Sequence, residues 1–455
     1  MKVVIVGAGQ IGIALAKYLR MEDHDVVLID LQKQALGYLG EQLDIQTVVG
    51  SGTSPGVLAR AGTKDADVFL AVTGNDEVNI IACTLAKTLF QVNKRIARLT
   101  SSEYLDKRNA AFLENLALDV VVSPELETAK RILSDLTING ATDVTSFCKN
   151  KVEFLGLKCR KNCALVGKTV TQIKDLIGNV NFTVVAINRR NQLMDLKDSP
   201  IKVGDDVYFF VAEGHLERVL DIFGYEMSAP DDVLIFGGGH IGYGLSALLE
   251  APIDRQSVTI VESSDERANF LASHLKDTLV IKGDGFDDKL LDEIDLKNYH
   301  IAVATTHKDE DNVLLALLAK RNGVPRSCAL IRNELYMNYV SGLGIDSFIN
   351  PNAVMVSTIL QHMRKGRVQD GYFLQSGLGE LLQIEVLPTA RITKGPLGKI
   401  KIPKGIVLGG ILRRDMFMCP DKDLIVQEGD IAFVFVERGF VREAEKLFTV
   451  DLVFF

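Results

Sequence analysis

The sequence predicts an α/β fold built twice: two doubly wound parallel-sheet domains, each followed by a smaller α+β domain. Three observations predict it. An apolar run leading into Gly-x-Gly-x-x-Gly and a helical pattern opens the chain at Val3-Val4-Ile5-Val6-Gly7-Ala8-Gly9-Gln10-Ile11-Gly12. The same pattern returns at Val233-Leu234-Ile235-Phe236-Gly237-Gly238-Gly239-His240-Ile241-Gly242. Each is followed by a second apolar run ending in an acid, Val26-Val27-Leu28-Ile29-Asp30 and Val258-Thr259-Ile260-Val261-Glu262. One such fingerprint is a weak signal; two, each with its acid about 20 residues on, are a strong one.

The elements follow in order. Short apolar runs at 3–6, 26–29, 46–49, 67–72, 95–99 and 119–122 alternate with amphipathic segments. Strands this continuously apolar predict a parallel sheet covered on both faces. The second copy tracks the first. Gly50-Ser51-Gly52-Thr53 matches Gly283-Asp284-Gly285-Phe286, and Asp67 through Thr73 matches His300 through Thr306. Asp76-Glu77-Val78-Asn79 matches Asp309-Glu310-Asp311-Asn312, Arg98 falls opposite Arg332, and Ser123-Pro124 opposite Asn350-Pro351. Residues 124–138 and 351–365 read as helices, with proline in the first turn. Short strands are then expected at 151–159, 163–170, 183–190 and 205–212, matched by 380–387, 390–400, 406–414 and 430–437. Ala186-Ile187-Asn188-Arg189-Arg190 aligns with Gly410-Ile411-Leu412-Arg413-Arg414, and a short helix closes each half near 214–222 and 439–447.

Length and charge bound the function. At 455 residues several domains are expected, and 47% hydrophobic with 24% charged residues is ordinary for a globular protein. No apolar run approaches the ~18–20 residues of a membrane span. Met1 leads directly into the first strand, so no secretory leader is expected. A formal charge of −8 disfavours a nucleic-acid partner and adsorption to anionic lipid. The six cysteines are scattered, only Cys159 and Cys163 lie close together, and no second pair follows at zinc-site spacing, so no metal is expected.

The glycines carry the chemistry. Gly7 permits the tight strand-to-helix turn, Gly9 lets the backbone approach a pyrophosphate, and Gly12 lets the helix pack on the sheet. The helix N-terminus offers free N–H groups to the phosphates. Asp30 is placed to accept from ribose 2′- and 3′-hydroxyls; a 2′-phosphate would meet like charge with no neighbouring Arg, which favours NAD over NADP. ATP, ADP and AMP present the same ribose hydroxyls, so the acid does not discriminate against them. Gly237, Gly239, Gly242 and Glu262 take the same roles in the second copy. His240 replaces Gln10 beside the phosphates, a solvated imidazole being the plainer alternative. Thr73-Gly74 and Thr306-His307 follow an apolar strand, where ligands of open α/β sheets bind. Arg98 and Arg332 follow the next strand and face a phosphate, a neighbouring chain or, as the plainer alternative, a surface acid. The bland alternative for the glycines is a tight turn with no ligand.

A catalytic constellation is missing. None of the seven His stands in a recognisable pairing, and the β-rich segments hold no nucleophile–base arrangement. Binding without turnover is the simpler reading. The alternative is a soluble NAD-dependent oxidoreductase, for which Asp76, Glu77, His307 and Asp309 are the only candidate bases.

The order of modules resembles that of the TrkA family, the NAD-binding cytoplasmic subunits of Trk potassium-uptake systems, with two RCK (regulator of potassium conductance) units in tandem. The segments that carry the resemblance are Gly7 through Gly12, Asp65-Ala66-Asp67, Ala71-Val72-Thr73 with Asp76-Glu77, Arg95-Ile96-Ala97-Arg98, Gly237 through Gly242, Glu445-Lys446-Leu447-Phe448 and Phe454-Phe455. The resemblance implies RCK N-terminal NAD-binding domains at 1–123 and 231–350, and RCK C-terminal (TrkA-C) domains at 140–225 and 371–453. It implies nucleotide contacts at Gly7, Ala8, Gly9, Gln10, Ile11, Gly12, Asp30, Thr73, Gly74 and Arg98. In the second half they are Gly237, Gly238, Gly239, His240, Ile241, Gly242, Glu262, Thr306, His307 and Arg332. NAD or NADH, with ATP or ADP as alternatives, would be the ligand and no residue would be catalytic. It further implies a tetrameric ring, peripheral on the cytoplasmic face of the inner membrane, beneath a TrkH/TrkG-type transporter whose pore responds to nucleotide. The helices 124–138 and 351–365 would cross to a partner subunit. Potassium itself would not bind, since its selection needs a carbonyl-lined pore.

Overall fold

The computed structural model describes residues 1–101, 104, 118–138, 141–177, 180–190, 192–225, 232–250, 257–333, 336, 343–363, 368–374 and 377–448. The expected domain end at 453 and the pair Phe454-Phe455 lie outside them.

The first half opens with β1 (Lys2–Val6), α1 (Gln10–Met21), β2 (Asp25–Asp30), α2 (Lys33–Leu43), β3 (Gln46–Val49), α3 (Pro55–Arg60), β4 (Val68–Ala71), α4 (Asp76–Thr88), β5 (Lys94–Arg98) and β6 (Val120–Val122). The strands form one parallel sheet in the order β3-β2-β1-β4-β5-β6. That order reverses direction between β1 and β4, the point where doubly wound sheets bind ligands. Successive side chains alternate faces. Val3, Ile5, Val26 and Leu28 pack on α1, while Val4, Val6, Val27 and Ile29 pack on α3 and α4.

After α5 (Pro124–Thr137) comes an antiparallel sheet of β7 (Ala141–Phe147), β8 (Val152–Lys158), β9 (Phe182–Arg189), β10 (Gln192–Leu193) and β11 (Asp206–Ala212), with helices α6 (Val170–Ile177) and α7 (Leu216–Phe223). Its order is β10-β9-β11-β8-β7. The second half repeats the first. Its parallel sheet is built from β12 (Asp232–Phe236), β13 (Ser257–Glu262), β14 (Leu279–Lys282), β15 (Ile301–Ala304), β16 (Arg326–Leu330) and β17 (Ser347–Ile349). The helices are α8 (His240–Leu249), α9 (Asp265–His274), α10 (Asp288–Glu293), α11 (Asp309–Arg321) and α12 (Pro351–Met363). The closing sheet holds β18 (Val368–Phe373), β19 (Gly379–Glu385), β20 (Ile406–Arg413), β21 (Met416–Met418) and β22 (Ile431–Glu437), followed by α13 (Val441–Phe448).

The halves exchange a helix. α5 leaves the first sheet and packs Ala129, Ile132 and Leu136 against Val233, Ile235, Leu245 and Leu249 of the second. α12 returns the exchange, packing Met355, Ile359, Leu360 and Met363 against Val3, Ile5, Leu15 and Leu19. Each of these buried Val, Leu, Ile and Met side chains contributes about 1.5–3 kcal/mol of transfer free energy. The expected crossing to a partner subunit is therefore corrected: these apolar faces are covered by the other half of the same chain. The two antiparallel sheets meet through aromatic rings: Phe433 lies 5.7 Å from Phe147 and 5.8 Å from Phe210, centroid to centroid. Gly409 makes room for the Phe210 ring.

Two expected strands are loops. Residues 163–168 form turns ahead of α6, and 390–400 carries short 3-10 turns at Arg391–Thr393 and Leu397–Lys399. Both are apolar because they plug the open end of a core: Leu165 is 2% exposed and Ile392 fully buried. The reverse error hid β7. Its inward position Asp143 is fully buried and polar, held by Arg131 at 3.5 Å and by the Tyr372 hydroxyl, which donates at 3.1 Å.

Candidate functional site

The two glycine loops sit at the carboxyl ends of β1 and β12. In the first, Gly7 has φ +108°, a left-handed conformation open to glycine, and its N–H donates to the Ile29 carbonyl at 2.8 Å. A Cβ on Gly12 would run into the Gly7 carbonyl oxygen. These two glycines are required by the turn. Gly9 is different. Its φ is −75°, and a Cβ there would meet nothing within 4 Å. The second loop repeats the division: Gly237 has φ +96°, a Cβ on Gly242 would strike the Gly237 carbonyl, and one on Gly239 would meet nothing. Gly238 belongs with the structural set, because a Cβ there would strike Leu271, whereas Ala8 stands at the matching place in the first loop.

The acids close the loops. Asp30 accepts from Ala8 N at 2.7 Å and from Gln32 N at 2.9 Å. Glu262 accepts from Gly238 N and Ser264 N, both at 2.8 Å. Each acid is part-buried beside the first turn of α1 or α8, whose leading N–H groups have no side-chain cap. The arrangement leaves an anion-binding helix terminus beside a carboxylate able to accept from a diol. Ile11 is 5% exposed and belongs to the core, so it can offer a ligand only its backbone. Gln10 accepts from Asn352 Nδ2 at 2.6 Å, which ties the first loop to the exchanged helix α12. His240 is exposed.

Thr73 and Thr306 stand just past β4 and β15, as expected. A residue that the sequence reading passed over holds each one. Asn79, fully buried, accepts from Thr73 N at 3.0 Å and from the Thr73 hydroxyl at 2.7 Å, and donates to the Arg98 carbonyl at 2.9 Å. Asn312 does the same for Thr306 and the Leu330 carbonyl, at 2.7, 2.7 and 3.0 Å. The signal was available: the two aligned acidic stretches both end in this Asn. Gly74 and His307 follow on the open side of the turn, with His307 exposed.

The two arginines do not correspond. Leu70 pairs with Ile96 and Val303 with Cys328, which puts Arg98 opposite Leu330 and Arg332 opposite Thr100. Arg332 is engaged: it donates to the Thr306 and His307 carbonyls at 3.3 Å and approaches Asp309 at 3.4 Å. Arg98 Nε is buried without a partner. Asp76, the first candidate base of the oxidoreductase alternative, accepts from Thr100 N at 2.9 Å and Ser101 N at 2.8 Å and caps the segment after β5. Asp309 accepts from Arg332 N and Asn333 N in the same way. Both carboxylates are structural anchors.

One cation near the second loop was missed. Arg267, in the first turns of α9, donates from Nε to the Gly238 carbonyl at 2.7 Å, lies 4.4 Å over the Phe270 ring, and keeps Nη2 buried without a partner. Burial draws its guanidinium below the usual arginine value, with Glu262 offsetting the effect. The absence of a neighbouring Arg, expected at Asp30, does not extend to Glu262, whose charge acts on Arg267. Among the described residues no three His, Cys, Asp or Glu side chains gather as metal ligands would, and no helix is long and apolar enough to cross a membrane.

Comparison with known proteins agrees with this geometry. The TrkA-N domain family matches residues 3–124 and 233–351. The chain is 36% identical to a Trk system potassium uptake protein TrkA of Azorhizobium caulinodans, with both chains fully covered. It is 33% identical to the proteins of the same name from Haemophilus influenzae and Halomonas elongata, again over the full length of each. Among solved structures, the GsuK channel bound to NAD superposes with a TM-score of 0.61 at 17% identity, covering 98% of this chain and 78% of that one. The GsuK RCK domain gives 0.59 at 18%, covering 98% and 94%. The fold is therefore that of tandem RCK units, and the matched relatives are named as potassium uptake proteins rather than as enzymes.

Proposed function

Because the chain belongs to the TrkA family, we propose that it is the nucleotide-binding regulatory subunit of a Trk-type potassium transporter. It binds NAD(H) or an adenine nucleotide at two sites and passes occupancy to a membrane partner without turning the nucleotide over. The observation that carries this reading is the pair Gly9 and Gly239. Glycine at either place is not required by a clash or by a positive φ, since a Cβ would meet nothing within 4 Å and φ is negative at both. A ligand brought against the backbone is what requires the missing side chain. The residues proposed to hold it are Gly7 through Gly12, Asp30, Thr73, Gly74 and Arg98, and Gly237 through Gly242, Glu262, Thr306 and His307, Arg332 being held instead by Asp309 and the Thr306 and His307 carbonyls.

In this reading the four domains at 1–123, 140–225, 231–350 and 371–453 work as a gate. Four chains form a ring on the cytoplasmic face of the inner membrane, beneath a TrkH/TrkG-type subunit. A coupling of about 1–3 kcal/mol per site, summed over the sites of a ring, is enough to switch a pore. The helix exchange supports it, because a change at the first loop is tied through Gln10 and Asn352 to a helix of the other half.

The test is calorimetry with NADH and ADP, followed by potassium flux through the reconstituted transporter. Gly9→Asp and Gly239→Asp put a carboxylate where the phosphates would lie while leaving the turn intact. Each should remove one of two binding events, and the double variant should make flux indifferent to nucleotide. Unchanged binding in the double variant would leave the loops as mere turns.

A further inference from the structure

We infer that the two sites read different parts of the ligand: the first reads both halves of a dinucleotide, and the second reads an adenosine phosphate by its adenosine half alone. This deepens the proposal above and rests on both loops being nucleotide sites.

The sheet order fixes the axis. In β3-β2-β1-β4-β5-β6 the glycine loop lies over the switch point, the adenosine half of a dinucleotide lies toward β2, and the other half lies toward β4 and β5. The second sheet has the same order, so β13 is its adenosine side and β15 with β16 its far side. The cations are distributed oppositely along that axis.

In the first site the uncommitted cation is on the far side. Arg98 ends β5, its Nε is buried without a partner, and among the described residues no acid forms an ion pair with it, Asp76 accepting instead from the N–H groups of Thr100 and Ser101. On the adenosine side, Ala35 stands five residues beyond Asp30.

In the second site no arginine on the far side is uncommitted among the described residues. Leu330 stands where Arg98 does, and Arg332 is spent on Asp309 and on the carbonyls of Thr306 and His307. The adenosine side instead carries Arg267, five residues beyond Glu262. One guanidinium nitrogen is fixed on the Gly238 carbonyl, which places the group between the phosphate loop and the ribose acid, and Nη2 remains a buried donor with no acceptor. A buried guanidinium donor without a partner is costly unless a ligand oxygen supplies one. The oxygens within its reach belong to the ribose or to the phosphate next to it, both of which AMP possesses.

The experiment isolates each site in the full-length chain and compares NADH with AMP, which is the adenosine half of NADH. Gly239→Asp leaves the first site and Gly9→Asp the second; melting temperatures check that both fold. At the first site NADH should bind far more tightly than AMP, and Arg98→Gln should shrink that ratio by about tenfold, the worth of one charge-assisted hydrogen bond. At the second site the NADH-to-AMP ratio should be at least about tenfold smaller, and Arg267→Gln should weaken both ligands alike by about tenfold. Equal ratios at the two sites, or an Arg267→Gln variant that binds as before, would overturn the inference while leaving both loops as nucleotide sites. Wild-type protein that binds neither ligand would overturn the underlying reading as well.

Discussion

The two halves keep one scaffold and differ in the side chains beside the glycine loops. Both tie an acid to the glycine loop and both hold a Thr on a buried Asn. Both lock the end of an antiparallel sheet with a bidentate clasp. Arg189 donates to the two oxygens of Asp205 at 2.7 Å, and Arg413 to those of Asp430 at 2.8 and 2.7 Å; each Asp is 2% exposed or less. Beside the glycine loops the halves diverge at Arg98 against Leu330 and at Ala35 against Arg267. One divergence is internal. Asp206 pairs across the sheet with Asn188, whereas Ile431 pairs with Leu412 at the same place. Geometry that closes the backbone is shared because either half would fail without it; the side chains around it are free to differ.

The largest effect should come from the shared skeleton. Gly12→Ala or Gly242→Ala drives a methyl into a backbone carbonyl and should unfold its half, whereas Gly9→Asp and Gly239→Asp should change the melting temperature little and abolish binding. Thermal unfolding beside calorimetry separates the two classes, and a stable Gly12→Ala protein would contradict the division. Next, Arg189→Ala and Arg413→Ala each leave a buried carboxylate without its partner, at a cost of about 3–5 kcal/mol in urea unfolding. Unequal costs would show that the clasps are not equivalent. Trimming the exchanged helices, Ile132→Ala and Ile359→Ala, should cost about 2–5 kcal/mol each. Each should lower the stability of the sheet in the opposite half, readable by hydrogen exchange of β12 or β1.

The smallest effect concerns the internal divergence. Burial pushes the Asp206 carboxyl above its usual range, partly offset by Lys158 and by the hydrogen bond from Asn188. A raised carboxyl in the folded state means that ionisation opposes folding, so the penalty is present at neutral pH and fades as pH falls through the folded value. Asp206 Oδ1 and Asn188 Oδ1 are both buried without donors, and Asp206→Asn supplies one. The variant should be more stable than wild type at pH 7, on the order of 1 kcal/mol, with the gap closing on acidification. A gap that widens in acid would reverse the sign.

Much of the parallel-sheet architecture was legible, because β1, β2 and β4 are buried on both faces and read as continuous apolar runs. The loops and their acids were legible for the same local reason. What escaped depended on distant partners. β7 was hidden by the buried Asp143, and the plugs at Leu165 and Ile392 imitated strands. The apolar faces of α5 and α12 announced that something covers them without saying what. Matching Arg98 to Arg332 by residue type misled by two positions, since only the strand pairing reveals Leu330 as the counterpart. Arg267 lies five residues past Glu262 with no local signal that it turns back to Gly238.

The helix exchange has a further consequence. A pair of units joined only by mutual embrace could form from identical copies, and every change in one would then appear in both. Placing both units on one chain sets their stoichiometry at one to one and makes their meeting intramolecular, at an effective concentration about millimolar or above for a short tether. Within the helix exchange each unit then meets its opposite rather than its twin. A substitution near Glu262 is therefore never imposed on Asp30, so a ring of such chains can carry two kinds of sensor in strict alternation.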